Sequence, residues 1–257
     1  NIEAAATIPT GVIATAKIAS ISGSGSVTIE DGAQLKQGAA TLKVTVKKNI
    51  APATTWDPEQ AATDGFNLIA PPFGGTTQFA YNPSWNYVLG LTSGEYDLYS
   101  FNAANEGEEW NNEKADNEFT TIASGVGYLY ANAAYTPLTF NGGAIGSLNN
   151  IVTKSFAYDA TSTTLFNGFA LVGNPFTCNA YISFAPTGED PEEIDFYVLN
   201  PENNKFTLSE TSIALNVCQG AFIYADAEGD VVYSSELPDG DKRSRSEERR
   251  VGKECRS

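Results

Sequence analysis

Three short segments of this chain occur twice, in the same order. GFNLIAPPF (65–73) returns as GFALVGNPF (168–176), YDLYSFN (96–102) as IDFYVLN (194–200), and YLYANA (128–133) as FIYADA (222–227). The offsets are 103, 98 and 94 residues, a drift that short loop deletions produce. Two homologous modules in tandem account for this pattern. Repeated self-folding units commonly serve as spacers, binders or scaffolds, which shifts expectation away from a single-site enzyme.

Composition sets the class of each module. Aromatic residues make up 11% of the chain, and Tyr, Phe, Thr, Val, Asn and Gly are frequent. That is the composition of an all-β protein with many turns. No stretch carries a long 3.6-residue apolar period, so little helix is expected. Short apolar runs recur at roughly ten-residue spacing with turn residues between them, which indicates antiparallel sandwiches. Module one is expected over 39–144 and module two over 145–238, each of ordinary domain size.

Residues 1–38 read differently. VIATAKIASI and SVTIEDGAQL alternate Val/Ile with small residues, punctuated by glycine. They are expected to form stacked strands, the last rungs or cap of an upstream β-solenoid-like region or a strand pair ending an upstream domain, with a flexible linker as the alternative. Within module one, LKVTVKKNI (42–50) alternates as a strand, with Leu42, Val44 and Val46 on one face. Pro71-Pro72 stops the FNLIA run, because proline cannot donate to a sheet ladder. PPF (71–73) and NPF (174–176) read as structural corners. The 103–117 loop is polar and long.

Both ends are unusual. The chain opens on Asn1 and contains no Met, which reads as a fragment or a processed product. All five arginines lie at 243 or beyond, and RSEERRVGKECRS (245–257) matches the translation of a sequencing adapter. We therefore expect 239–257 to be a disordered tail, 245–257 to be non-native, and the natural chain to continue past Gly240.

Charge and residue types exclude several functions. There are 15 Lys+Arg against 31 Asp+Glu, a net charge of −16. Such a surface repels phosphate backbones and anionic headgroups, so no nucleic-acid partner is expected. The apolar runs, such as YVLGL (87–91), are too short for a membrane span, so no insertion is expected. The chain has no histidine, which removes Ser-His-Asp and Cys-His catalysis and histidine-ligated zinc.

Candidate ligand residues concentrate in module one. Trp56, Trp85 and Trp110 fall in or beside expected loops, and module two has no Trp. Exposed tryptophans can stack on sugar rings, while Glu109, Asn111 and Asn112 can bond hydroxyls. The competing expectation is that these aromatics fold back as satellite core. Glu108-Glu109 and Glu192-Glu193 are adjacent pairs that do not make the cleft geometry of a glycosidase. NNEKADNE (111–118) and DAEGD (226–230) can bind calcium weakly through oxygen, though a turn explains them too. No other metal or cofactor is expected.

Cys178 and Cys218 are present in module two, with Gly75 and Ser124 as their counterparts by the local offsets. Paired gain is the pattern a disulfide leaves, and closing that loop would contribute about 3–4 kcal/mol. Two unrelated buried thiols are the alternative. Cys255 lies in the adapter-like tail.

The motifs GFNLIAPPF, GFALVGNPF and GVGYLYAN, with VTIEDGAQL and VTVKKNI ahead of them, resemble a β-rich repeat module. That module occurs in large secreted and cell-surface proteins of Bacteroidota. The resemblance spans about 20–238. It differs in carrying Phe66 and Phe169 where Trp is frequent. It implies export by the type IX system, an extracellular or outer-surface location and adhesin-like roles, and supplies no catalytic residues. The combined expectation is an all-β chain of two tandem antiparallel β-sandwich modules after a short β-solenoid-like segment. Its expected function is a non-enzymatic scaffold or adhesion module of a larger protein, binding glycans or host and cell-surface proteins. The alternative is a carbohydrate-binding module accessory to a hydrolase.

Overall fold

The structure, a computed structural model, describes residues 2–15, 20–36, 42–57, 62, 64–73, 79–80, 96–112, 121–133, 137–144, 152–209 and 214–236. Among these residues there are strands and turns but no helix, as the period-2 patterning requires.

The first strands stack in parallel. β1 (Ala5–Ile8) and β2 (Ile13–Thr15) form one rung, β3 (Ser26–Ile29) and β4 (Gln34–Lys36) the next. Ala5 lies opposite Ser26 and Ile13 opposite Gln34, so both strand pairs share one 21-residue offset. Aliphatic residues superpose, with Ile8 on Ile29 and Ala14 on Leu35. β5 (Lys43–Lys48) adds in parallel to β3, with Ile29 against Val46. The sheet thus joins strands from both sides of the expected boundary at residue 38. Lys47 pairs with Glu30 at 2.9 Å and Lys48 with Asp31 at 3.0 Å. These half-exposed pairs fix register more than they stabilise.

Module one continues with β6 (Asn67–Ile69), β7 (Phe79–Ala80), β8 (Tyr96–Phe101), β9 (Trp110–Asn112), β10 (Thr121–Ile122), β11 (Tyr128–Asn132) and β12 (Leu138–Ala144). β12 returns to pair antiparallel with β5, giving the sheet β1-β3-β5-β12. It faces the sheet β6-β11-β8-β9 across a core that includes Ile29, Val44, Val46, Phe140, Tyr96 and Tyr130. β7 and β10 form a separate pair.

Module two repeats the plan. β13 (Val152–Phe156), β14 (Phe169–Gly173), β15 (Tyr181–Pro186), β16 (Glu192–Glu193), β17 (Phe196–Asn200), β18 (Lys205–Ser209), β19 (Gly220–Tyr224) and β20 (Gly229–Ser234) make the sheets β13-β20-β15-β16 and β14-β19-β17-β18. Phe156, Ile182, Phe184, Val172, Phe196 and Ile223 lie between them. The NPF corner is built on Asn174, which is fully buried. Its side-chain amide donates to the carbonyls of Cys178 (2.9 Å), Leu215 (3.1 Å) and Asn216 (2.9 Å), and its Oδ1 accepts from Phe176 N–H (2.8 Å).

The two middle sheets pack on each other. Leu68 and Leu129 from module one meet Leu171, Phe222, Tyr197 and Leu199 from module two in a shared apolar layer. The repeated strands are therefore covered on both faces, which explains the near-continuous apolar runs FNLIA and FALVG. Among the described residues the four four-stranded sheets therefore stack in four layers.

The contact between modules is quasi-twofold. Ile69 bridges Gln219, and Val172 bridges Val126. Ala70 N–H donates to Cys218 O at 3.0 Å, and Gly173 N–H donates to Gly125 O at 3.2 Å. Ile69 is the counterpart of Val172 and Ala70 of Gly173. The two sets of bonds then match only if Val126 corresponds to Gln219 and Gly125 to Cys218. Strand pairing agrees, since Leu129 lies opposite Leu68 as Phe222 lies opposite Leu171. The third echo is thus offset by 93 residues, and the 94 read from YLYANA and FIYADA is one too many. The reason is facial. Tyr130 is fully buried and Tyr224 is 46% exposed, so matching the two tyrosines would place them on opposite faces of the sheet. The counterpart of Cys218 is Gly125, and not Ser124.

Gly173 marks a close approach of the modules. A Cβ there would collide with the Ala70 methyl and come within 2.7 Å of Val126 O.

Candidate functional site

The expected ligand residues separate into three environments. Trp56 is partly buried against Ala53, Ala62, Ala131 and Phe66, so this part of the 51–65 loop folds back as satellite core. Asp97 holds that loop, its buried Oδ2 accepting from Ala62 N–H at 2.7 Å. Trp85 lies outside the described residues. Trp110 opens β9 and is 36% exposed. The expected long 103–117 loop therefore contains an edge strand.

Glu109, Asn111 and Asn112 flank Trp110 in different ways. Glu109 turns back, its Oε1 accepting from Gly107 N–H at 2.9 Å. Asn112 pairs in register with Tyr99 and hydrogen-bonds its phenol. That phenol is raised from its ordinary value mainly by burial and then by the Asp97 charge, with the Asn112 bond opposing. Asn111 points to the other face, because alternate residues of a strand do so. The structure thus places Trp110 and Asn112 on one face and removes Asn111 from it.

Around Trp110 is an aromatic layer that sequence reasoning missed. Phe222 is central: Phe101 stands edge-on at 4.8 Å between centroids, Phe206 at 5.6 Å and Trp110 at 5.9 Å. Phe101 also holds Trp110 at 5.1 Å. Such edge-to-face pairs fix ring orientation and each contributes about 0.5–1.5 kcal/mol beyond burial. By strand register, Phe206 on β18 is the counterpart of Trp110 on β9: Phe206 lies opposite Leu199, and Trp110 opposite Phe101. Phe206 is 50% exposed and Leu208, two residues on, 53% exposed. The two outer rings thus flank one buried ring at the rim of the shared layer. The available signal was the alternation in KFTLS (205–209), which puts Phe206 and Leu208 on one face of the strand.

A second concave region follows the seam. A cavity of about 150 Å³ is lined by Lys48, Asn67, Asn216, Gln219 and Cys218, among others. A groove of about 260 Å³ continues past Asp31, Gln34, Lys48, Asn179 and Asn216. Its walls mix these polar side chains with Ala33 and Val217, and Lys48, paired with Asp31, lines both cavity and groove.

Cys178 and Cys218 are both buried free thiols in the structure, in the cores of module two and module one respectively. Burial pushes the Cys178 thiol up to about 11 and Cys218 higher still. Such thiols are poor nucleophiles at neutral pH. Glu192 and Glu193 are exposed on the short edge strand β16. DAEGD (226–230) leads into β20, and most of NNEKADNE lies outside the described residues. Among the described residues no group of three or more Cys, Asp or Glu side chains is placed to hold a metal ion, and no helix is long and apolar enough to cross a membrane.

Comparison with known protein families, with curated proteins and with solved structures finds no match to this chain.

Proposed function

We propose that this chain is a non-enzymatic extracellular scaffold or adhesion block within a larger bacterial surface protein. The observation that carries the reading is the shared layer of Leu68, Leu129, Leu171 and Phe222 between the two modules. An apolar, quasi-symmetric seam couples tandem units into one stiff body, which suits a spacer that sets the distance between other domains. Transient interfaces between independent domains are more polar. The test is the distribution of distances between spin labels on exposed Glu189 and Asn105, together with calorimetry. One narrow distance and one cooperative transition support a rigid block. A broad distribution with two separate transitions sinks it.

A second reading, carbohydrate binding, is favoured by the exposed pair Trp110 and Phe206 bracketing Phe222. Oriented aromatic faces suit the C–H faces of sugar rings. Affinity electrophoresis in soluble polysaccharides checks it. Retardation that Trp110→Ala and Phe206→Ala both relieve supports a glycan site, and migration unchanged by polysaccharide removes it.

A further inference from the structure

The two stacked rungs are closed on one side only. On the module side, β5 continues the ladder beyond β3, and the bend after the NPF corner, residues 177–179, hydrogen-bonds to β4 without being a strand. There Leu35 N–H donates to Thr177 O at 2.8 Å, and Thr177 Oγ1–H returns a bond to Leu35 O at 2.7 Å. Asn179 N–H adds a bond to Gln34 Oε1 at 3.0 Å. Both strands of the second rung are thus capped, one by each module.

The other side has no such cap among the described residues. β1 is the terminal strand of its sheet and β2 of its pair. Burial along each ladder falls toward this edge. Val46 and Ile29 are 1% and 0% exposed while Ile8 is half-buried. Leu35 is 0% exposed while Ala14 above it is half-buried. Val12 and Ile13, at the tip of the outer rung, are 42% and 59% exposed. An open parallel edge with uncovered aliphatic residues is unusual, because parallel sheets are normally covered and edges normally protected.

We propose that the β1–β2 edge is a docking surface for one further parallel rung, a strand–turn–strand segment of the same polypeptide. The inference goes beyond the scaffold reading and does not depend on it. The occupant follows from continuity with the interface already built twice. Its two strands must meet β1 and β2 together at the 21-residue offset that relates the existing rungs. It must place an aliphatic residue over Ile8 and a small one over Ala14. A second copy approaching through a twofold axis would present its own β1 antiparallel, which breaks that register.

The experiment adds a rung to the intact chain. A copy of residues 1–21 is fused directly ahead of Asn1, which preserves the offset. A control carries the same copy with aspartate in place of the copied Ile8 and Ala14. Hydrogen exchange is followed at the amides of 5–8 and 13–15. With the faithful copy, exchange should slow by about tenfold or more and Tm should rise, while the control should match the parent. Equal exchange in all three chains overturns the proposal. Sedimentation of the unmodified chain is the second measurement. A dimer abolished by Thr7→Pro means that the edge takes a second copy, and it overturns the assigned occupant. A monomer agrees with the proposal.

Discussion

Gly125 and Cys218 occupy the same position in the two modules, and both have left-handed backbone, with φ of +76° and +62°. Each offers its carbonyl to the other module, Gly125 to Gly173 N–H and Cys218 to Ala70 N–H. The turn before β11 and β19 must bend this way to deliver those carbonyls to the seam. Glycine adopts that conformation without cost, and cysteine does not.

Two substitutions follow from this pairing. Gly125→Ala should destabilise by about 1–2 kcal/mol, from backbone strain and from a Cβ 2.9 Å from the Lys154 side chain. Cys218→Gly should be more stable than Cys218→Ala by about 1 kcal/mol, since both lose the thiol and only alanine keeps the strain. Urea denaturation measures both, and equal stability of the two Cys218 variants would remove the backbone argument.

Asn174 should be intolerant of change. Asn174→Ala leaves the buried carbonyls of Cys178 and Leu215, the partly buried carbonyl of Asn216 and the Phe176 N–H without their side-chain partner. A loss of about 3 kcal/mol or more is expected. It should also loosen the Thr177–Leu35 contact, which amide exchange at Leu35 would report. A change below about 1 kcal/mol would show that the corner is held by other means.

Tyr130 and Asn132 should behave in the opposite way. The Tyr130 hydroxyl and the Asn132 carboxamide are buried side by side without a hydrogen bond of good geometry among the described residues. Their counterparts in module two, by the 93-residue offset, are Ile223 and Ala225. Tyr130→Phe should therefore raise stability, by about 1 kcal/mol, because an unsatisfied buried hydroxyl is removed. A lower thermal midpoint for Tyr130→Phe would contradict this.

Stability should fall in alkali. The Cys178 thiol is raised from 9.0 to about 11 and the Tyr128 phenol from 10.0 to about 12, in both cases mainly by burial. A raised folded value means that the folded state holds its proton more tightly than the unfolded chain. The stabilisation is complete below the unfolded value and is lost as pH climbs through the folded one. Between pH 9 and 12 the midpoint of denaturation should drop, and Tyr128→Phe should flatten the part above pH 10. Cys178 and Cys218 should both react with Ellman's reagent after denaturation without reductant, and neither in the native protein. Absence of their reaction after denaturation would mean that they are bonded to each other.

The all-β class, the two modules, the corners at PPF and NPF and most strand positions were legible in the sequence. Each rests on local chemistry: alternation in LKVTVKKNI, proline as a ladder stop, and repetition of whole strands. The candidate site was legible only in part. Trp110 stood out as a residue type, but its partners Phe101, Phe206 and Phe222 come from β8, β18 and β19. Trp56 looked the same in sequence and proved to be satellite core, because the Asp97 bond to Ala62 folds its loop inward.

The sequence by itself determined that this chain contains two copies of one strand pattern, since period and turn chemistry are local properties. Tertiary structure alone decided how the copies meet. FNLIA and FALVG are apolar on both faces, which states that both must be covered and leaves open by what. The answer depends on which surfaces match in shape, and here each copy covers the other. The same packing set the register of the third echo, because burial of Tyr130 and exposure of Tyr224 outweigh the identity of their letters.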